Sequence, residues 1–313
     1  MPKPGGAMRV GVIGLGGIAR KAYLPVLTCL EGIELMFCSR TPATVTRLQS
    51  QYRVSRGATS LDEVLAWKPE AAVVLTPTSD HKATVTRLLR GGVDVFVEKP
   101  ATMCSADTHE LAKVADELGR VLMVGFNRRY APLHQKARAV WGDRLATLCL
   151  LEKQRVSPLH VDLRNQYLDD TIHLIDLLRW FCGDATAVQS VHQVRDARLV
   201  SAASTLRLPG GGCGVVATSL QSGHWSERYA LHGDGASLYV EAFNCVRLID
   251  AEGEHRWEAS QGSWTRMLEQ RGFVGQIAHF SECVRTRQQP DTNAWEAWRT
   301  QRLLEDMIAM SGE

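Results

Sequence analysis

The sequence predicts an α/β protein: an N-terminal parallel sheet with crossover helices, followed by an α+β domain with a large, mostly antiparallel sheet. Three observations predict it. A hydrophobic run enters a glycine-rich turn over residues 10–19, VGVIGLGGIA. Short apolar runs then alternate with helical patterns through residues 1–126. After Tyr130 the pattern changes to successive long β-like stretches, which sets the expected division at residues 1–126 and 127–313.

The elements follow in order. After the first strand a helix is expected through Tyr23, Leu24 and Leu27, and residues 33–39 form the second strand. Residues 71–76 (AAVVLT), 93–97 and 121–124 are nearly continuous apolar runs, as strands buried on both faces require. Helical patterns fill residues 43–51, 79–90 and 105–118, with Gly91-Gly92 and Gly119 at expected helix ends. In the second half, strands are expected over 145–154, 187–194, 201–208, 214–220, 229–232 and 237–249, joined by turns such as Pro209-Gly210-Gly211-Gly212 and Gly233-Asp234-Gly235. Helices over 264–286 and 294–310 follow.

Composition bounds the function. At 313 residues the chain is long enough for two cores, and 45% hydrophobic with 22% charged residues is a globular balance. A net charge of +2 excludes a dominant attraction to nucleic acid or an anionic membrane. No apolar run approaches the ~20 residues that span a bilayer, and the first seven residues read as a short lead-in without a signal core. The eight cysteines are scattered without a Cys-x-x-Cys pair, which is the usage of a reduced, cytoplasmic protein. His160, Asp162 and His173 share a region but lack zinc-type spacing, so no metal is expected.

The glycine turn carries the first chemistry. In Gly14-x-Gly16-x-x-Ala19, Gly14 permits the tight turn and Gly16 lets backbone approach a pyrophosphate. Ala19 lets helix pack on strand, and the helix N-terminus offers N–H groups to phosphates. This is the Rossmann dinucleotide fingerprint, with Gly14, Gly16, Gly17 and Ile18 as expected cofactor contacts. About 20 residues on, where an acid would bind the ribose of NAD, the chain reads Cys38-Ser39-Arg40-Thr41. Ser39 and Arg40 suit a 2′-phosphate, so NADP is favoured over NAD; the plainer alternative is a solvated Arg40. Thr76-Pro77-Thr78 and Glu98-Lys99-Pro100 end buried strands at the ligand-binding edge of such a sheet. His81 either belongs to that edge or caps the next helix. Asp169 and His173, four apart in an apparent helix, share a face, and Asp176 follows.

Other residues have competing roles. Arg128, Arg129 and Tyr130 follow a strand end, where two arginines suit a carboxylated or phosphorylated sugar, although such arginines more often form structural ion pairs. Lys153 and Arg155 either face a pocket from a strand or are solvated, as exposed strand charges usually are. Trp225, Trp257 and Trp264 are expected in the core or an interface.

The glycine turn, Thr76-Pro77-Thr78, Glu98-Lys99-Pro100 and Asp169-x-x-x-His173 occur in the order of the Gfo/Idh/MocA oxidoreductases, which the chain resembles over nearly its whole length. It is similar in particular to MviM-type members, on residues 14–19, 24–27, 122–132 and 268–275. The resemblance implies that Lys99 lies near the nicotinamide and the substrate hydroxyl, while Glu98 and Pro100 shape the cofactor pocket. It implies that His173 is the general acid/base and that Asp169 orients substrate or tunes the proton relay. Asn127 matches a polar position near the nicotinamide. One departure is that Thr171 stands where relatives often carry glycine, and Arg164–Leu168 replaces a glycine-rich approach.

The chemistry so implied moves a hydride between nicotinamide and a sugar, polyol or related hydroxy/keto compound. An unperturbed histidine titrates near ~6.5, which suits His173 to take the hydroxyl proton, and Lys99 stabilises the developing alkoxide. Substrate contacts are then expected from Lys99, Arg129, Asp169 and His173, which requires the ammonium and the imidazole to converge. Two alternatives stay open: a dinucleotide-sensing regulatory protein without turnover, and a redox-assisted glycoside-cleaving enzyme. An antiparallel sheet with helices on one face leaves the other face for self-association, and the resemblance implies a homodimer or homotetramer. The second domain is thus expected to serve substrate binding and oligomerisation.

Overall fold

A computed structural model describes residues 6–160, 162–259 and 266–310. The chain forms two compact units, one comprising the residues up to Gly125 with Phe273–Trp298, the other Phe126–Gly272 with the residues from Arg299. The helices in chain order are α1 (Leu24–Leu27), α2 (Pro42–Tyr52), α3 (Leu61–Ala66), α4 (Thr78–Arg90), α5 (Ser105–Glu117), α6 (Pro132–Trp141), α7 (Leu163–Gln166), α8 (Ile172–Cys182), α9 (Met267–Gln270), α10 (Phe273–Thr286) and α11 (Ala294–Ala309). Among the described residues no helix is long and apolar enough to cross a membrane.

The first unit holds a six-stranded sheet of β1 (Met8–Ile13), β2 (Ile33–Cys38), β3 (Arg56–Ala58), β4 (Ala71–Val74), β5 (Asp94–Val97) and β6 (Leu122–Val124). Every pairing is parallel, in the order β3-β2-β1-β4-β5-β6. The order reverses between β1 and β4, the switch point where open α/β sheets bind ligands. β4 and β5 are buried at every position, which explains their unbroken apolar sequences. Asp94 is the exception. Its Oδ1 accepts from the Val121 amide at 2.9 Å and its Oδ2 pairs with Arg287, so the buried charge is matched.

β3 and α3 were not expected. β3 is three residues long, too short for a periodicity to register. α3 opens with a capping box: Ser60 Oγ accepts from the Glu63 amide at 3.3 Å and donates back to the Glu63 carboxylate at 2.9 Å.

The expected boundary also needs correction, because Phe273–Trp298 belongs with the first unit. The physical reason is aromatic packing and backbone pairing. Phe273 meets Tyr23 edge-on at 5.6 Å and Phe280 meets Phe96 at 5.8 Å. The Val124 amide donates to the Thr292 carbonyl at 2.8 Å, extending the β6 edge.

The second unit is built on an eight-stranded sheet of β7 (Leu148–Gln154), β8 (Thr186–Arg195), β9 (Arg198–Arg207), β10 (Cys213–Ser219), β11 (Ser226–Gly233), β12 (Ala236–Glu241), β13 (Cys245–Asp250) and β14 (Gly253–Glu258). The order is β14-β13-β12-β11-β7-β10-β9-β8, and β7–β10 is its one parallel pair. The expected stretch 237–249 is two strands, because the chain turns at Phe243, which sits at φ +66°. β14 was not expected either; it is an exposed edge strand without an apolar face.

The helix expected over 264–286 is interrupted. Gly272 has φ +82°, and a Cβ there would fall 2.0 Å from the Asn127 carbonyl oxygen, so α9 and α10 are separate. Trp264 lies outside the described residues.

Candidate active site

The edge of the first sheet is shaped by backbone. β1 ends at Ile13, and the turn begins with Gly14 at φ +95°. A Cβ on Gly14 would fall 2.6 Å from the Leu75 carbonyl carbon, so the β1 and β4 turns approach as closely as glycine allows. Gly16 and Gly17 face open space, with nothing within 4 Å of where a Cβ would stand. The Gly16 carbonyl accepts from the Arg20 amide at 3.2 Å, starting the helical turn whose early N–H groups face this cradle.

Beside it opens a cleft of about 520 Å³, walled by Gly14, Gly16, Ser39, Arg40, Thr76 and Pro77 among others. Thr76 Oγ1 is buried in that wall without a hydrogen-bond partner. No acid follows β2: Ser39 Oγ accepts from the Thr41 amide at 3.4 Å, and Arg40 is exposed. Glycines that leave room for phosphate, an orphaned hydroxyl and a basic residue at the ribose position together fit a dinucleotide.

One strand further, β5 delivers Glu98, Lys99 and Pro100 to the same edge, with a cis peptide bond between Lys99 and Pro100. Glu98 is buried, and Tyr23 Oη donates to its Oε1 at 2.6 Å. Gln276 Nε2 in turn donates to Tyr23 Oη at 3.1 Å. Burial, reinforced by the Glu98 charge, raises the Tyr23 pKa well above its ordinary value, so the phenol stays a donor. This anchor fixes the backbone from which the half-buried Lys99 projects. Tyr23 and Gln276 are contributors that no motif marked.

His81 differs from the cofactor contact expected of it. Its ring is buried, with Nδ1 3.0 Å from the Pro100 carbonyl and Nε2 2.9 Å from the Thr76 carbonyl. It therefore ties two strand-end loops together through backbone oxygens. Burial lowers its pKa, although the flanking carbonyls oppose the shift.

In the second unit, a π-helical turn over Tyr167–Thr171 leads into α8. His173 lies buried in the first turn of α8. The helix expected to carry Asp169 and His173 on one face thus contains a wider turn between them. Asp169 is half-exposed and its Oδ2 lies 2.9 Å from His160 Nε2. Asp170, its neighbour, is buried and points into a different set of partners.

That set is the feature the sequence concealed. Lys153 is 1% exposed, with Nζ 2.5 Å from Asp170 Oδ1 and 3.6 Å from Glu227 Oε2. Of the two alternatives for this strand cation, solvation is excluded. Arg155 donates Nε and Nη2 to the two Asp170 oxygens, both at 2.7 Å. Arg128 forms the same two-pronged pair with Glu227, at 2.6 and 2.8 Å.

Desolvation works against each of these charges, and neighbours decide the result. Burial raises the Glu227 and Asp170 pKa values, but Arg128 with Lys153, and Lys153 with Arg155, hold both carboxyls below the usual range. Burial, then the Arg128 charge, pushes Lys153 down to about 8.

Arg129 also departs from expectation. Its Nε and Nη2 bond the two Asp176 oxygens at 2.9 and 2.7 Å with both side chains buried, the structural ion pair that was the alternative to a substrate contact. Of the strand-end residues, Asn127 is buried and donates its amide to the Arg271 carbonyl at 2.7 Å. Trp225 is half-buried and stacks on Phe243, and Trp257 lies under Lys136 Nζ at 4.6 Å.

A doubly wound parallel sheet with a cleft at its switch point defines a dinucleotide-binding unit, and the same chain carries a second unit built on an antiparallel sheet. Residues 8–126 match the sequence model of the Gfo/Idh/MocA oxidoreductase family, described as an NAD-binding Rossmann fold. The chain is 32% identical to "Putative oxidoreductase YceM" of Salmonella typhimurium, over 95% of this chain and 96% of that protein. It is 32% identical to myo-inositol dehydrogenase Hyg17 of Streptomyces leeuwenhoekii over 56% of each chain. The crystal structure of the dehydrogenase MviM from Clostridium difficile shares the fold with a TM-score of 0.87 at 26% identity, covering 96% of this chain and 99% of that one. The chain belongs to the Gfo/Idh/MocA oxidoreductase family.

Proposed function

We propose that this protein interconverts a secondary alcohol and a ketone on a sugar, polyol or related compound, using NADP(H) in preference to NAD(H). The observation that carries the reading is the cleft at the β1–β4 switch point, with its open glycine cradle and orphaned Thr76 hydroxyl. Gly14, Gly16, Gly17 and Ile18 would hold the pyrophosphate, and Thr76, Pro77 and Thr78 the adjoining ribose and nicotinamide side. When bound, the nicotinamide supplies the hydride acceptor or donor.

The remaining roles fall to side chains of this chain. His173 takes the hydroxyl proton during oxidation and returns it during reduction. Lys99 donates a hydrogen bond to the oxygen on which negative charge develops. Asp169 orients the substrate, Glu98 and Pro100 fix the Lys99 backbone, and Asn127 lies beside the nicotinamide. Arg129, closed by Asp176, is given no substrate role.

The preference for NADP(H) rests on Ser39 and Arg40: among the described residues Arg40 has no ion-pair partner, and its sequence neighbours Ser39 and Thr41 are neutral, although Asp80 also lines the cleft. All eight cysteines are unbridged, in keeping with a cytoplasmic protein. Val188, Val191 and Val194 on β8 are more than half or about half exposed, apolar surface that favours a homodimer or homotetramer. Size-exclusion chromatography giving only a 34.6 kDa species rejects that assembly.

The test is a panel of sugars, polyols and keto-sugars with each cofactor, read by nicotinamide absorbance. Turnover is expected with a lower KM for NADP(H). Lys99→Ala and His173→Ala should each reduce kcat on the order of a hundredfold or more. Near-full turnover in both variants, or cofactor binding without turnover across the panel, overturns the reading.

A further inference from the structure

Arg128 and Arg129 are each closed by a buried carboxylate, yet the charge around the first of them does not balance. Contacts link Arg271, Arg128, Glu227, Lys153, Asp170 and Arg155, which is four cations against two carboxylates. The excess sits at the two ends. Arg271 lies 5.6 Å over the Trp225 ring and 5.2 Å over the Phe243 ring, and those two rings are within 9° of parallel. Aromatic faces hold a guanidinium by cation–π attraction but accept none of its in-plane N–H bonds. Among the described residues no carboxylate pairs with Arg271.

At the other end, Arg155 uses Nε and Nη2 on Asp170, which leaves Nη1, and its side chain is 23% exposed. The two ends share one sheet edge. Ser226 of β11 pairs with Gln154 of β7 as the last pair of that ladder, and Trp225 and Arg155 are the residues that adjoin it on the two strands. Arg271 is therefore held over the residue just before β11, and Arg155 is the residue just after β7, the strand that pairs with it.

We infer that Arg271 and Arg155 form an oxyanion-recognition site, so that the natural substrate is a sugar- or polyol-derived compound bearing a carboxylate or phosphate. The inference rests on the oxidoreductase reading above and names its substrate class. A planar fork with unmatched donors suits a carboxylate or phosphate better than a neutral hydroxyl. Two further observations agree. Burial, then the nearby Arg128 charge, lowers the Arg271 pKa, and the Glu227 charge opposes the shift without reversing it. Phe243, which helps seat Arg271, holds a left-handed backbone at φ +66°, a conformation that costs energy for an aromatic residue.

The experiment is calorimetric titration of the full chain with D-glucuronate, D-glucose 6-phosphate and D-glucose, alongside kcat/KM for each. At least one anionic sugar should bind on the order of tenfold tighter than glucose, and which one does so separates carboxylate from phosphate. Arg271→Ala should reduce that anion-to-neutral ratio by on the order of tenfold, with part retained in Arg271→Lys, which keeps charge but loses the fork. If the alanine variant does not fold, the lysine variant carries the test. Equal binding of glucose and both anions, an unchanged ratio in a folded variant, or a loss confined to NADPH affinity overturns the inference. Calorimetry needs no hydride transfer, so the two readings fail separately. Anion preference without turnover sinks the redox reading alone, and turnover without anion preference sinks only the substrate class.

Discussion

At the ends of β1, β2 and β4 the protein prepares for charge with backbone: a left-handed glycine, two glycines facing open space and the first amides of a helical turn. On the inward face of β7 and β11 it does so with side chains, setting Lys153 and Arg128 against Asp170 and Glu227. The first arrangement is local, made by residues adjacent in sequence. The second joins residues 17 to 99 positions apart. A backbone site is therefore sensitive to a single methyl group, whereas a charge network is sensitive to losing one partner and to pH.

The largest effects should separate the two glycines of the cradle. In Gly14→Ala the new Cβ meets the Leu75 backbone at 2.6 Å in a positive-φ conformation, so the fold itself should lose on the order of 2 kcal/mol or more. In Gly16→Ala the Cβ enters open space, so the melting temperature should hold while NADPH affinity falls on the order of tenfold or more. Thermal unfolding together with nicotinamide fluorescence titration reads both. If Gly16→Ala binds NADPH like the wild type, the cradle is a plain turn.

Glu227→Gln probes the charge network in the same way. Arg128 and Lys153 would then face a neutral amide in a buried site, and loss of a buried partner costs about 3–5 kcal/mol. Urea unfolding at neutral pH should show it. Because Glu227 and Asp170 are held below the ordinary carboxylate range when folded, their contribution is present at neutral pH. It is lost as pH falls through and below the unfolded value of about 4.3. The wild type should therefore destabilise more steeply than the variant below about pH 5. Parallel acid profiles would remove the network from the stability of the fold.

The same contrast explains what the sequence disclosed. The parallel sheet, its switch point and the glycine turn were legible because each depends on residues next to one another. α3 is marked locally as well, by the capping signal Ser60-Leu61-Asp62-Glu63. The π turn before α8 was not, since Asp169 and His173 at a spacing of four fit an ordinary helix equally well. Period-two alternation does place Lys153 on the face of Cys149 and Leu151, both buried. What the pattern cannot supply is Glu227, directly opposite Lys153 in the antiparallel register yet far along the chain. Arg128 and Arg129 invited a substrate role for the same reason: the carboxylates that close them are Glu227 and Asp176. Arg271 lies in a segment that carries the family resemblance, but its setting is not local, because the aromatic rings beneath it belong to the segment around β11 and the turn after β12.

The subtlest consequence belongs to Lys153 and lies on the alkaline side. Burial, then Arg128, lowers its pKa to about 8, so the folded protein releases this proton before the unfolded chain does. Between about pH 8 and the unfolded lysine value near 10.4, the unfolded state binds more protons, and stability should rise with pH from this group. Below about pH 8 both states are protonated, and the cost of burying the ammonium is present in full. Lys153→Met removes the titrating group while leaving Arg155 on Asp170 and Arg128 on Glu227, so the two remaining pairs still balance. Its unfolding free energy should lack the rise across that window, and near pH 7 it should differ from the wild type by no more than about 2 kcal/mol, because a well-packed apolar replacement of a buried ion is often neutral. Urea titrations at about pH 7, 8.5 and 10 decide it: a wild-type profile as flat as the variant's means that Lys153 keeps an ordinary pKa, and the contrast between a backbone site and a pH-responsive charge network narrows to the carboxylates.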